Sequence, residues 1–246
     1  MKDRKEQILK TIIEHFITTA NPVGSKVLTE VYKFPCSPAT IRNEMHSLEQ
    51  EGFLESPHTS AGRVPTTFGF RFFVSELLQK GGIDEFRPQI KQDFNKAKET
   101  YFESKKADEK IFDTVSILTQ LTENVAFATI PSNKRTFFLG ASKILAEPEF
   151  SHQPDLASSI FRVLEEDFVK ILSSLDLKEE VQVFIGKENI IPEIQSCTLI
   201  ASSFDVYGHK GALGILGPIR MNFARNILAL EESIRFLNEK TGKNSP

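Results

Sequence analysis

Cysteine is scarce in this chain. Cys36 and Cys197 are far apart and lack CxxC or Cys/His spacing, so neither a disulfide framework nor a zinc site is indicated. Long apolar runs are missing too; none approaches the roughly 20 residues that a membrane span requires. The N-terminus MKDRKEQ opens with charge rather than a signal peptide, and the expectation is a cytoplasmic protein. An excess of basic charge is also lacking: 30 Lys and Arg against 33 Asp and Glu leave a net charge of −3. That total weighs against a broadly basic nucleic-acid surface. What matters for such binding is the charge on one face, which an acidic remainder can hide. The N-terminal part is itself close to neutral, so few phosphate contacts per monomer are expected and useful affinity would need a dimer.

What is present suits a globular protein. With 246 residues, 40% hydrophobic and 26% charged, the chain can build one large core or two of ordinary size. Ile8, Ile12 and Phe16 beside Leu9, Ile13 and Ile17 make one broad apolar stripe, which predicts a helix from Arg4 to Thr19 ended by Asn21-Pro22. A short second helix is expected from near Ser25 to Tyr32. The third is the best marked: Ser37 as N-cap, Pro38 at the first helical position, Ile41, Met45 and Leu48 on one face, and Gly52 as terminator. Phe53-Leu54-Glu55 then reads as a short strand, and the Gly/Pro-punctuated stretch from Ser56 to Pro65 as the loop of a hairpin. A helical pattern returns from Thr67 to Gln79 before Gly81-Gly82.

The remainder divides by texture. From Asp84 to about Asn124, helical spacing lapses near Ser104 and Asp108, which predicts one long helix or two joined there, acting as a connector with a solvated charged face. Strands are expected at Val125–Ile130, Thr136–Leu139, Val181–Ile185, Cys197–Phe204 and Gly211–Leu216, with helices at Asp155–Leu175 and Asn222–Asn238. The fold class is therefore α+β. We divide it into residues 1–80 as a winged helix-turn-helix, 81–124 as a helical linker and possible dimer contact, and 125–246 as a C-terminal α/β domain.

Placing the third helix at about 100° per residue turns Ala39, Asn43, His46 and Gln50 away from the core, with Thr40, Arg42 and Ser47 on the flanks. Such groups suit a DNA groove. Asn43 could pair with adenine N6 and N7, Arg42 with guanine or phosphate, and Ala39 or Thr40 with a thymine methyl. Ser37 and the free N–H groups of the helix start could meet a phosphate. The same pattern also describes an ordinary polar surface helix, and the pattern alone leaves both open. His58, Thr59, Ser60 and Arg63 suit a wing that touches backbone or minor groove, or a plain polar turn. Ser60 with His58 makes no nucleophile–base pair, for want of an acidic orienter and an oxyanion hole. Gly186-Lys187-Glu188-Asn189 lacks the phosphate-loop frame, and Gly208, Gly211, Gly214 and Gly217 read as turns and close packing. No catalytic residue, cofactor or metal ligand is expected.

Taken together, these segments resemble a known family. Pro22-Val23-Gly24-Ser25-Lys26, Ser37-Pro38-Ala39-Thr40-Ile41-Arg42-Asn43-Glu44-Met45 and the run from Pro57 to Thr66 resemble the HrcA family of heat-inducible repressors. So do Gly69-Phe70-Arg71-Phe72-Phe73-Val74, Gly140, Glu147-Pro148-Glu149-Phe150, Ile185-Gly186-Lys187-Glu188-Asn189, and Leu216-Gly217-Pro218-Ile219-Arg220-Met221 with Ala224-Arg225. The resemblance implies a winged helix followed by a GAF-like domain with an inserted dimerising domain. It implies a homodimer on double-stranded DNA carrying the CIRCE inverted repeat, a GroE-type chaperonin that promotes the active fold, and repression of chaperone operons. The protein would be associated with the nucleoid when bound. By motif, DNA contact falls to Thr40, Arg42 and Asn43 on the recognition helix and to His58 through Arg63 in the wing. The chain is shorter than usual members, with the loss between about Val125 and Leu139, so the GAF-like domain is reduced. Pro38 stands where serine is usual. An effector-sensing regulator, whose GAF-like domain binds a small molecule, is the alternative.

Overall fold

The computed structural model describes residues 3–58, 62–79, 81–99, 107–130, 132, 135–166, 172, 175–206 and 208–239. Helix α1, Asp3–Thr19, buries Ile8, Leu9, Ile12 and Ile13 completely. It ends at Ala20, which takes the left-handed conformation at φ 57° and donates its N–H to Phe16 O at 2.9 Å. Helix α2 is shorter than the expected run to Tyr32, spanning Ser25–Glu30.

Helix α3, Pro38–Gln50, begins and ends as its sequence dictates. Ser37 Oγ accepts from Thr40 N at 3.1 Å, and Pro38 stands where its missing N–H costs nothing. At the other end Gly52 takes φ +79°. Its N–H bonds Glu49 O and that of Phe53 bonds Leu48 O, which together form a Schellman cap. Strands β1, Leu54–Glu55, and β2, Val64–Pro65, then pair antiparallel, with Leu54 opposite Pro65. Helix α4, Thr67–Gln79, closes the unit by sending Phe70, Phe73 and Val74 inward. Gly69 lets it approach closely: a Cβ there would lie 2.3 Å from the carbonyl oxygen of Phe53.

Residues Met1–Gly82 form one unit and Ile83–Pro246 another. The second contains the segment expected to be a connector. It holds two helices, α5 at Arg87–Lys98 and α6 at Ala107–Thr122, with Tyr101 and Ser104 outside the described residues. Both pack against the last helix of the same unit, so they belong to its core rather than to a free linker. The remaining elements are β3 Val125–Ile130, β4 Arg135–Leu139, α7 Ala141–Ala146, α8 Pro148–Ser151, α9 Pro154–Glu166, β5 Gln182–Ile185, β6 Cys197–Val206, β7 His209–Pro218 and α10 Phe223–Asn238. Of the helix expected at Asp155–Leu175, Phe168 and Ile171 lie outside the described residues.

The strands form one sheet in the order β4-β3-β7-β6-β5, and each neighbouring pair is antiparallel. The α/β label for this part is thus corrected to α+β: every pairing is antiparallel, β3–β4 and β6–β7 are hairpin pairs, and α7 to α9 lie between β4 and β5. Strand β3 is buried along its whole length, since helices cover both faces. Val125, Phe127, Leu199 and Leu216 share a core with Ile144, Phe150, Ile160 and Leu164. By strand alternation Ala126, Ile200, Leu213 and Ile215 point the other way, where α6 and α10 lie. Gly214 sits where a side chain would strike the Phe127 ring, at 2.4 Å.

One buried charge in this unit is answered by backbone carbonyls from far along the chain. Lys110, buried on α6, donates to Leu237 O and Glu239 O at 3.0 Å each and so caps the end of α10; its burial lowers the ammonium pKa. Cys197 is fully buried, and desolvation pushes its thiol up to about 12. Cys36 is half-buried. At pH 8 the Cys197 thiol stays protonated and out of contact with solvent. A chromogenic disulfide should therefore titrate one thiol in the folded protein and the second only after denaturant is added. Equal rates for both thiols would show that Cys197 is accessible.

Candidate nucleic-acid interface

Helix α3 divides cleanly into two sides. Ile41 and Leu48 are completely buried and Met45 nearly so. Ala39, Arg42, Asn43, His46 and Gln50 are exposed, and Ser37 is exposed at the cap. Thr40 is half-buried, and its Oγ1 lies 3.0 Å from Ser37 Oγ. Neither Arg42 nor Asn43 has a side-chain hydrogen bond or ion pair among the described residues. The guanidinium and amide are thus uncommitted.

The back of α3 is braced by α1. Lys5 Nζ donates to Ser47 Oγ at 2.8 Å and pairs with Glu51, while Arg4 pairs with Glu44. Two basic groups are thereby placed at the sides and end of α3, without entering its outward face. Toward the C-terminal end His46 Nε2 lies 3.2 Å from Gln50 Nε2, and His46 Nδ1 lies 3.5 Å from Glu49 Oε2.

The hairpin loop is tied down at its base. Ser56 Oγ donates to the carbonyl of His58 at 2.7 Å, leaving the His58 ring exposed. Thr59 and Ser60 lie outside the described residues. Arg63 does not point outward as an unengaged wing arginine would. Its Nη2 is 2.9 Å from Glu49 Oε2 on α3, and its Nη1 donates to Ser56 Oγ at 3.4 Å. Its main chain exchanges two hydrogen bonds with Val23, at 2.8 and 2.9 Å. The pair with Glu49 is partly solvated, so it contributes only about 0–1 kcal/mol to stability. Glu49 was missed in the sequence because its partner lies across a loop, and no local spacing announces it.

The other conspicuous motifs fall in the second unit and have structural work. Arg220 is nearly buried and forks onto two carboxylates: Nε to Glu149 Oε1 at 2.6 Å and Nη2 to Glu147 Oε2 at 2.6 Å. Two segments far apart in sequence are joined there. Asn189 spends its amide N–H groups on the carbonyls of Gly186 and Cys197, both at 2.9 Å, and of Ile194 at 3.2 Å. The loop from Gly186 is a single 3-10 turn. That agrees with the strand-exit reading. Among the described residues, no group of three or more His, Cys, Asp or Glu is placed to hold a metal ion, and no helix is long and apolar enough to cross a membrane.

Comparison with known proteins bears on the whole chain. The family profile for the HrcA protein C terminal domain matches residues 70–227. The chain belongs to the HrcA family. The protein from Desulforamulus reducens named heat-inducible transcription repressor HrcA is 28% identical, over 94% of this chain and 94% of its own length. The protein of the same name from Thermobifida fusca is 42% identical, over 55% of this chain and 38% of its own. The first alignment runs over 335 positions, against 246 residues here, so it contains gaps where this member of the HrcA family has no residues. A crystal structure described as that of a hypothetical protein has the same fold, with a TM-score of 0.78, 18% identity and 97% of each chain covered.

Proposed function

We propose that this chain is a repressor of heat-shock genes that reads an operator through α3. The observation that carries the reading is the two-sided α3, with Ile41, Met45 and Leu48 inside and an uncommitted Arg42 and Asn43 outside. Membership of a family whose relatives are named heat-inducible transcription repressors supports it. Helices α1 to α3 with the β1–β2 hairpin are read as a winged helix-turn-helix. DNA contact is assigned to Ser37, Ala39, Thr40, Arg42, Asn43 and His46 on the helix, and to His58, Thr59 and Ser60 in the loop that Arg63 anchors. No catalysis is assigned.

The rest of the reading follows from charge and from the family. A near-neutral DNA-binding unit makes few phosphate contacts, so two copies are needed, and two recognition helices suit half-sites about 34–36 Å apart or a multiple of that. The operator is the CIRCE inverted repeat, the second unit is a reduced GAF-like domain, and a GroE-type chaperonin promotes the binding-competent fold. The protein works in the bacterial cytoplasm, on the nucleoid when bound.

Gel-shift titration of the full chain on the CIRCE duplex and on a scrambled duplex, at one salt concentration with and without chaperonin, tests this. A preference for CIRCE of at least about a thousandfold is expected, since specific sites exceed non-specific DNA by that much or more. Equal affinity for both duplexes, by protein shown to be folded, would remove the operator reading. An unchanged affinity with chaperonin would remove that partner alone.

A further inference from the structure

A carboxylate beside a DNA-facing surface repels phosphate unless something neutralises it. Glu49 is such a carboxylate: half-buried on the flank of α3, next to the exposed His46. Its Oε2 lies 2.9 Å from Arg63 Nη2 and 3.5 Å from His46 Nδ1, so one oxygen serves both the hairpin and the outward side of the helix. Arg63 is held from other directions as well. Its backbone is paired with Val23 and its Nη1 reaches Ser56 Oγ. Gly62 beside it lies so close to Val23 that a Cβ would come within 2.5 Å of the Val23 carbonyl group. The guanidinium therefore stands on a firm base, and Glu49 is where that base meets the recognition helix.

We propose that Glu49 is a positioning residue for DNA binding: through Arg63 it holds the hairpin at a fixed angle to α3, so that helix and loop meet the duplex together. The inference rests on the operator reading of α3. Glu49 touches no base and no phosphate. Its effect passes through Arg63, whose charge it neutralises. Arg63 then acts as a strut within the protein rather than as an arginine reaching into the minor groove.

The test uses the full chain with Glu49→Gln, Arg63→Gln and the double variant, each titrated with CIRCE and with scrambled duplex at fixed salt. Thermal unfolding is followed in parallel. Glu49→Gln should lower the ratio of CIRCE to scrambled affinity by about tenfold, while the melting midpoint stays within about 3 °C of the parent. A purely structural role would shift the midpoint and both affinities together. Affinity for scrambled DNA should hold or rise, because one negative charge has gone. The double variant should be no worse than Arg63→Gln alone, as expected for two groups acting as one unit. An unchanged ratio in Glu49→Gln would overturn the proposal. So would strictly additive losses in the double variant, which would give Arg63 a DNA contact of its own. Lack of CIRCE preference in the parent protein is a different result: it would remove the operator reading, and the positioning role with it.

Discussion

Asn43→Ala is expected to weaken specific operator binding by about tenfold to a hundredfold for each half-site. A bidentate amide–adenine pair is worth about 1–3 kcal/mol of discrimination, and about 1.4 kcal/mol corresponds to a factor of ten. In a dimer both half-sites lose it. Arg42→Ala should act differently if the guanidinium meets phosphate: affinity would fall on every sequence, and the salt slope would drop by about one per subunit. Both side chains are exposed and unpartnered among the described residues. Their removal should therefore leave stability within about 0.5 kcal/mol. Titration on matched and scrambled duplexes at two or more salt concentrations separates the two behaviours. Full specific affinity in both variants would mean that another surface reads the operator.

The largest effect on stability is expected from Arg220→Ala. The guanidinium is nearly buried and its Nε and Nη2 serve Glu147 and Glu149, which lie at the start of the short helix α8. Truncation leaves two carboxylates facing each other, without the cation that tied their segment to the end of β7. Removing one partner of a buried charge cluster costs about 3–5 kcal/mol, and partial exposure of the glutamates favours the lower figure. A loss of about 3 kcal/mol in urea unfolding is the expectation. Arg220→Lys should recover only part of it, because an ammonium cannot reproduce the fork. A change below about 1 kcal/mol in Arg220→Ala would show that packing around Phe150 holds this segment unaided.

The contrast between Asn43 and Arg220 also marks what could be read in the sequence. Helix α3 was legible because its signals are local: Ser37 caps it, Pro38 starts it, Gly52 stops it, and Ile41, Met45 and Leu48 repeat at helical spacing. Strands β3 to β7 were legible for a similar reason, as apolar runs between turns. Their order was not, since nothing local brings β3 against β7 or places β5 at an edge. The short helices α7 and α8 carry too few residues to show a period. The charge-rich stretch before β3 reads as a solvated connector, yet Lys110 within it is buried. Its burial follows from carbonyls more than a hundred residues away, at Leu237 and Glu239. Arg63 shows the same limit at shorter range. A loop arginine in a DNA-binding context reads as a ligand for phosphate until its partner Glu49 is found across the hairpin.

Strand β4 pairs with β3 at the margin of the sheet, with Ile130 and Arg135 as Cα partners. Antiparallel partners stand about 5 Å apart, which is the geometry of a graft point. Any module whose own ends lie that close can be spliced between them without stretching the parent sheet. The cost of a longer closure grows only with the logarithm of its length, by about 0.6 kcal/mol for each doubling. A folded module can thus be accommodated at this junction while the sheet persists, which makes it a place to insert a fluorescent reporter.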